Sequence, residues 1–275
     1  MNEPRVYKHS PFQFVVLILV FGIAFAVMLF SFRWDDATVL IPIAALLLIA
    51  VVSVISLMQK TVVSEDEISS QTLLGTKTLR WTEINRVSGR GHTIKLHNFD
   101  GDVTVVPNPN LPRYEEVIEW IGNKRPDLFN PQEFDELKNG MFFLLPGLIF
   151  LVLFIATFLV FGVLVYSSPE SSTVMVAPLI VLFIILVVFV GMAFSQPRSV
   201  TLDGKSMVIK YLFGGKTLLA DEIQSIQFTF QQSRNGRIYF VLLHLANRKK
   251  VRISRLKPSL PVAYLVLKNW HKQNT

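Results

Sequence analysis

The sequence predicts a membrane protein of mixed class: four transmembrane helices in two hairpins, each hairpin followed by a bent antiparallel sheet or barrel with a C-terminal helix. Composition is the first observation behind this expectation, with 51% hydrophobic residues, only 17% charged residues and a mean hydropathy of +0.44, outside the usual range for soluble domains. Distribution is the second, because the apolar residues gather into four blocks at 12–31, 37–58, 141–167 and 172–195, none containing Asp, Glu, Lys, Arg or His. A helix needs about 20 apolar residues to cross the hydrocarbon core, and each block reaches that length. Repetition is the third: "KTLRWTEI" at 77–84 returns as "KTLLADEI" at 216–223.

Each element follows in order. Arg5 and Lys8 precede the first block, but its run exceeds the ~7–15 residues of a signal-peptide core, so it reads as a retained span. Zero cysteines exclude a disulfide framework, a thiolate metal site and a lipoprotein anchor. The short segments 32–37 and 168–171 hold one basic residue, Arg33, whereas 59–140 hold ten Lys or Arg and 196–275 hold fourteen. The positive-inside rule therefore places both termini and both large polar segments in the cytoplasm, at the cell membrane.

The repeat extends beyond the octapeptide. "LVFG" at 19–22 recurs at 159–162, "ATVL" at 37–40 has "STVM" at 172–175, "LH" recurs at 96–97 and 243–244, and "LP" at 111–112 and 260–261. The chain thus reads as one unit used twice. Its expected boundaries are an N-terminal tail and first hairpin at 1–59, a first acidic domain at 60–128, a linker and second hairpin at 129–196, and a second basic domain at 197–275.

Within each domain the pattern is strands first and a helix last. Residues 61–74 and 199–213 each read as strand, turn and strand, and Gly75 or Gly214 opens the turn into the repeated octapeptide. A hairpin is expected around Asp100-Gly101 in the first copy and around Asn247 in the second, which also inserts a hairpin at Asn235-Gly236. After each Leu-Pro comes a helix; in the first copy Tyr114, Val117, Ile118 and Ile121 share a face, opposite Arg113, Glu115, Glu116 and Glu119. Residues 130–140 read as a short connecting helix capped by Asn130, with Pro131 first inside.

"WTEI" at 81–84, followed by "IKLHNFDGD" and a final amphipathic helix, resembles the bacterial pleckstrin-homology-like domains that follow a transmembrane hairpin. The resemblance covers about residues 60–124 and 197–272, and departs at Ala220, which stands where the first copy has Trp81. It implies a bent sheet with a closing helix and a role in binding phosphoinositide headgroups or protein partners.

Chemistry is conspicuous mainly by what the sequence omits. No ionisable residue lies in the four blocks, which argues against an ion path or proton relay. His9, His92, His97, His244 and His271 show no metal-ligand spacing and read as structural, with His97 and His244 at matching positions. No nucleophile elbow and no phosphate-binding Gly-rich loop occurs, so neither an enzyme nor a cofactor is expected.

Charge separates the two copies. Residues 59–140 hold ten basic against thirteen acidic side chains, a net of −3, while 196–275 hold fourteen against three, a net of +11. Where the first copy turns on "DGD" at 100–102, the second has "NRKK" at 247–250. Strand alternation puts Lys250, Arg252 and Ser254 on one face and Val251 and Ile253 on the other. Arg248, Lys249, Lys250, Arg252, Arg255 and Lys257 are therefore candidate contacts for anionic lipid headgroups, since the domain is expected at a leaflet surface. Trp81, Tyr264 and Leu265 are candidate contacts for a protein partner or a second copy, because Tyr264 and Leu265 replace Glu115 and Glu116 on the terminal helix. The function expected is a non-enzymatic, polytopic scaffold presenting two domains at the bilayer surface, without nucleic acid. Its alternative is a small transporter or channel subunit.

Overall fold

A computed structural model describes residues 3–31, 40–73, 75–134, 136–139, 144–167, 180–181, 183–188, 191, 196–233 and 236–275. The chain forms two compact units, one of Met1–Phe129 with Gln231–Ile238, the other of Asn130–Phe230 with Tyr239–Thr275.

The first unit opens with strand β1 (Arg5–Lys8), then helices α1 (Pro11–Ser31) and α2 (Leu40–Leu57), then β2 (Lys60–Val63), β3 (Glu67–Thr72) and β4 (Gly75–Arg80). These four strands make one antiparallel sheet in that order. The pair Lys8↔Lys60 is the consequential one. It makes everything between residues 8 and 60 an excursion that leaves one strand and re-enters its neighbour. Tyr7 turns inward and is 6% exposed, so the N-terminal segment belongs to the sheet. A second sheet of β5 (Arg86–Ser88), β6 (Lys95–His97) and β7 (Thr104–Val105) follows, and α3 (Tyr114–Lys124) closes the unit. Tyr114, Val117, Ile118 and Ile121 are fully buried, the face that their spacing requires.

The second unit repeats this order. Asn130 caps a 3-10 turn, its Oδ1 accepting from the Gln132 N–H at 3.2 Å. The expected connecting helix ends there, and the next residues form strand β8 (Glu136–Lys138), which pairs with β9 (Ser199–Asp203) through Leu137↔Val200. Leu137 and Val200 are both buried, so the linker is a sheet strand whose apolar residue fills the core. Helix α4 (Leu144–Ser167) follows β8, and β9, β10 (Ser206–Lys210) and β11 (Gly215–Leu219) follow the second apolar region. The long strands β12 (Ile223–Ser233) and β13 (Gly236–Leu245) join β14 (Lys250–Ile253) in a second sheet, and α5 (Leu260–Asn274) ends the chain.

The expected fold class of four transmembrane helices in two hairpins is corrected here. Among the described residues one stretch, Pro11–Phe30, is long and apolar enough to cross a membrane; Ile41–Leu57 of α2 and Leu151–Val160 of α4 are shorter apolar stretches whose side chains are described. Among the described residues four antiparallel sheets and their helices make an α+β architecture. Helical rise of about 1.5 Å per residue sets the length that a crossing needs. Helix α2 takes up Leu40–Leu57 of the block at 37–58, and of the block at 172–195 residues 180–181, 183–188 and 191 are helical while the rest lies outside the described residues. The expected turns at 32–37 and 168–171, and Arg234-Asn235 of the inserted hairpin, lie outside the described residues.

The repeated octapeptide is a corner. Leu79 and Leu218 are buried at the ends of β4 and β11, and Ile84 and Ile223 are buried after a 3-10 turn. Glu83 Oε2 accepts from the Arg80 N–H at 3.0 Å, and Glu222 Oε2 from the Leu219 N–H at 2.9 Å. The acid three residues into each turn thus satisfies a backbone donor that the turn leaves open. In both units the corner is also tied to the end of the last helix. Arg125 Nη1 donates to the carbonyls of Trp81 and Ile84, and the His271 ring nitrogen Nε2 sits 2.7 Å from the Ile223 carbonyl.

The loss of tryptophan at Ala220 is made good from elsewhere. Trp81 is 5% exposed and its indole N–H donates to Ser64, in the β2–β3 turn, at 3.1 Å. In the second unit Trp270 of α5 is 2% exposed and donates to Gly204, in the matching β9–β10 turn, at 2.7 Å. Each unit keeps one buried indole bonded to that turn. Truncating Trp81→Ala or Trp270→Ala is expected to cost about 3–5 kcal/mol, whereas Trp270→Phe, which keeps most of the volume, costs about 1 kcal/mol from the lost hydrogen bond. Denaturant titration of the full chain checks this, with the half-buried Trp120→Ala as the mild control.

Candidate functional site: a basic strand and turn

Strand β13 turns into β14 at residues 246–249, closed by the Leu245 N–H donating to the Lys249 carbonyl at 2.9 Å. Arg248 adopts a left-handed conformation, φ 63°, as the last residue of a three-residue turn. Asn247 Oδ1 accepts from the Lys249 N–H at 3.0 Å and fixes the turn. The register Leu242↔Arg252 and His244↔Lys250 then sets which side chains turn outward. Val251 and Ile253 are buried, and Lys250 and Arg252 are exposed, as are Arg248, Lys249, Arg255 and Lys257. The guanidinium carbon of Arg252 lies 3.9 Å from the centre of the Phe240 ring, which holds its charge over the sheet face. Among the described residues no ion pair engages Arg248, Lys249, Lys250 or Lys257. Six cations thus project from one turn and the chain that leaves it, fastened beneath by the Lys257 N–H donating to the Lys138 carbonyl at 2.8 Å.

The expected protein-contact residues require correction. Tyr264 and Leu265 are 1% and 3% exposed, and α5 is buried at every position from Leu260 to Leu267. Tyr264 packs on Phe228, ring centres 5.5 Å apart, and Phe228 stacks on Tyr239 at 5.1 Å. A helix apolar all round is one covered all round. The chain itself provides that cover, so these residues present no open face to a partner. Trp81 is withdrawn on the same ground, being buried in its corner.

The histidines act in the framework. Ser88 Oγ lies 2.7 Å from His97 Nε2, and Thr104 Oγ1 lies 3.1 Å from its Nδ1, so the ring ties the three strands of the first unit's second sheet. A serine–histidine contact invites a nucleophile reading. Here no carboxylate orients the ring, and the small cavity beside it is lined by His97, Asn98 and Asp100 but not by Ser88. Among the described residues no group of three His, Cys, Asp or Glu could hold a metal ion. Sequence reasoning missed the strands β1 and β8 and the polar groove beside Lys77; the only signal was Leu137 between Glu136 and Lys138, and Tyr7 between Val6 and Lys8.

Burial first, and then the charges of Arg86 and Lys95, push the His97 pKa below its ordinary 6.5. The folded state therefore favours the neutral ring. Its contribution to stability is complete above the unfolded value and is lost as pH falls from 6.5 through the lower folded value. Melting temperature should decline across that window, and His97→Gln should flatten the decline.

No protein-family model matches this chain, and comparison with curated proteins gives no significant match.

Proposed function

We propose that this protein is a non-catalytic membrane-surface module, held at a bilayer through α1 and presenting the basic turn and strand of its second unit to an anionic leaflet. The observation that carries the reading is the cluster Arg248, Lys249, Lys250 and Arg252, exposed on one turn and strand face in a region of net charge +11. Each Lys or Arg close to an anionic leaflet contributes about 1 kcal/mol, so a cluster of this size is enough to orient a tethered unit. Support for the anchor comes from Pro11–Phe30, 20 residues of mean hydropathy 2.8 without a charge. The Lys/Arg distribution favours the cytoplasmic side of the cell membrane for the β-rich units. The pleckstrin-homology-like resemblance fits such a surface role, with anionic lipid headgroups as the partner class and no cofactor required.

Two measurements test the proposal. Alkaline carbonate should leave the full chain in the membrane pellet, and release into the supernatant would overturn the anchor. The absence of native cysteine allows a single Lys249→Cys label. In nanodiscs containing phosphatidylglycerol at low salt an environment-sensitive dye there should report a buried setting, lost in phosphatidylcholine discs and lost near 1 M salt, where screening acts within about 3 Å. The added changes Arg248→Gln, Lys250→Gln and Arg252→Gln should abolish the difference between lipids. A signal indifferent to lipid charge and salt would contradict the electrostatic reading.

A further inference from the structure

The first unit carries a second feature that the basic strand does not explain. Strand alternation places Lys77 and its partner Ser70 on the same face of the β3–β4 pair as Ile68 and Leu79, both buried. A lysine there stands at a position where the sheet otherwise points into the core. The sheet is open at this end, and a cavity of about 570 Å³ lies over it, with Lys77 joined by Ser70, Thr72, Thr76, Thr104 and Asn108. Among the described residues no carboxylate lines it, and Lys77 is the charged side chain there. Gly75, at φ 142°, leaves the rim clear of any side chain within 4 Å. In the second unit the lysine at the same place, Lys216, faces the fully buried Ile209 where the first unit has Ser70.

Gln59 lines the cavity and accepts from Asn108 Nδ2 at 2.7 Å. Leu57, two residues earlier and so within about 7 Å along the chain, lines a groove of about 810 Å³ between α1 and α2, walled by Val16, Val20, Val52 and Ser53. Both volumes are of the order of 300–1,000 Å³ that small-molecule sites occupy. The polar cavity and the largely apolar groove thus come within two residues of each other along the chain at the end of α2.

We propose that these two hollows form one site for a single anionic phospholipid, its phosphate against Lys77 and an acyl chain along the α1–α2 groove. The occupant follows from the lining: a hydrophilic phosphate ester would leave the groove empty, and a neutral lipid would leave the Lys77 charge unmatched. The site is distinct from the basic strand of the second unit. It rests on the reading of α1 as an anchor, which carbonate extraction tests by itself.

The test is thermal unfolding of the full chain in maltoside micelles, titrated with dioleoyl phosphatidylglycerol, dioleoyl phosphatidylcholine or glycerol 3-phosphate. Phosphatidylglycerol should raise the melting temperature saturably, and the other two should not. Lys77→Gln should weaken the phosphatidylglycerol response about tenfold, the loss of one charge-assisted contact, while Lys216→Gln leaves it unchanged. Val16→Trp, which fills the groove from an already half-exposed position, should weaken it independently of Lys77. Equal stabilisation by phosphatidylcholine would overturn the role of the charge, and equal stabilisation by glycerol 3-phosphate would overturn that of the groove. Equal loss in Lys77→Gln and Lys216→Gln would show bulk electrostatics in place of a site.

Discussion

The pairing of the strand before each apolar region with the strand after it is the constraint on which the rest depends. Lys8 opposes Lys60, and Lys138 opposes Ser199. A chain that leaves a sheet from one strand and must return beside it has its apolar excursion anchored at both ends. The cost of closing a long loop grows only slowly with its length, so a few ladder hydrogen bonds and one buried side chain per strand suffice to hold it shut. Tyr7 and Leu137 supply those side chains. The same closure places the groove between α1 and α2 beside the cavity at Lys77, because both begin where the chain re-enters the sheet.

A second tie makes each unit a unit. The corner after β4 or β11 exposes backbone carbonyls that no strand neighbour takes up, and the last helix reaches back to them with Arg125 or His271. Burying a carbonyl without a donor costs about 1–3 kcal/mol, so the helix and corner are selected together. The indole that seals the neighbouring turn illustrates how geometry is kept while sequence moves: Trp81 comes from the corner itself, Trp270 from the helix. The partner needed at that carbonyl is an N–H on a large apolar body, and either element can deliver it.

This division explains what was legible in the sequence. Alternation of Val251 and Ile253 with Lys250 and Arg252 announces the basic face, because a period of two survives in any half-buried strand. The spacing of Tyr114, Val117, Ile118 and Ile121 announces α3 in the same way. Strands β1 and β8 are three or four residues long with a single buried residue each, too short for any period to show, and their partners lie more than fifty positions away. Tyr264 and Leu265 looked like a sticky outer face because one-sided burial was assumed for α5, as holds for α3; the chain covers that helix on every side. The four expected spans rested on composition alone, and among the described residues one helix, Pro11–Phe30, combines the length and the hydropathy of a crossing.

The strand pairing is tested most directly by cysteine cross-linking in the full chain, which has no cysteine of its own. Val6 opposes Val62, and Glu136 opposes Thr201. Opposed residues on antiparallel strands sit about 4.5–5.5 Å apart, within reach of a disulfide, whereas a strand further on lies beyond its limit of about 7 Å. Val6→Cys with Val62→Cys, and Glu136→Cys with Thr201→Cys, should each cross-link on mild oxidation, while Val6→Cys with Ser69→Cys, one strand further, should not. Failure of both opposed pairs, or equal cross-linking by the distant pair, would contradict the closure of the apolar excursions by the sheet.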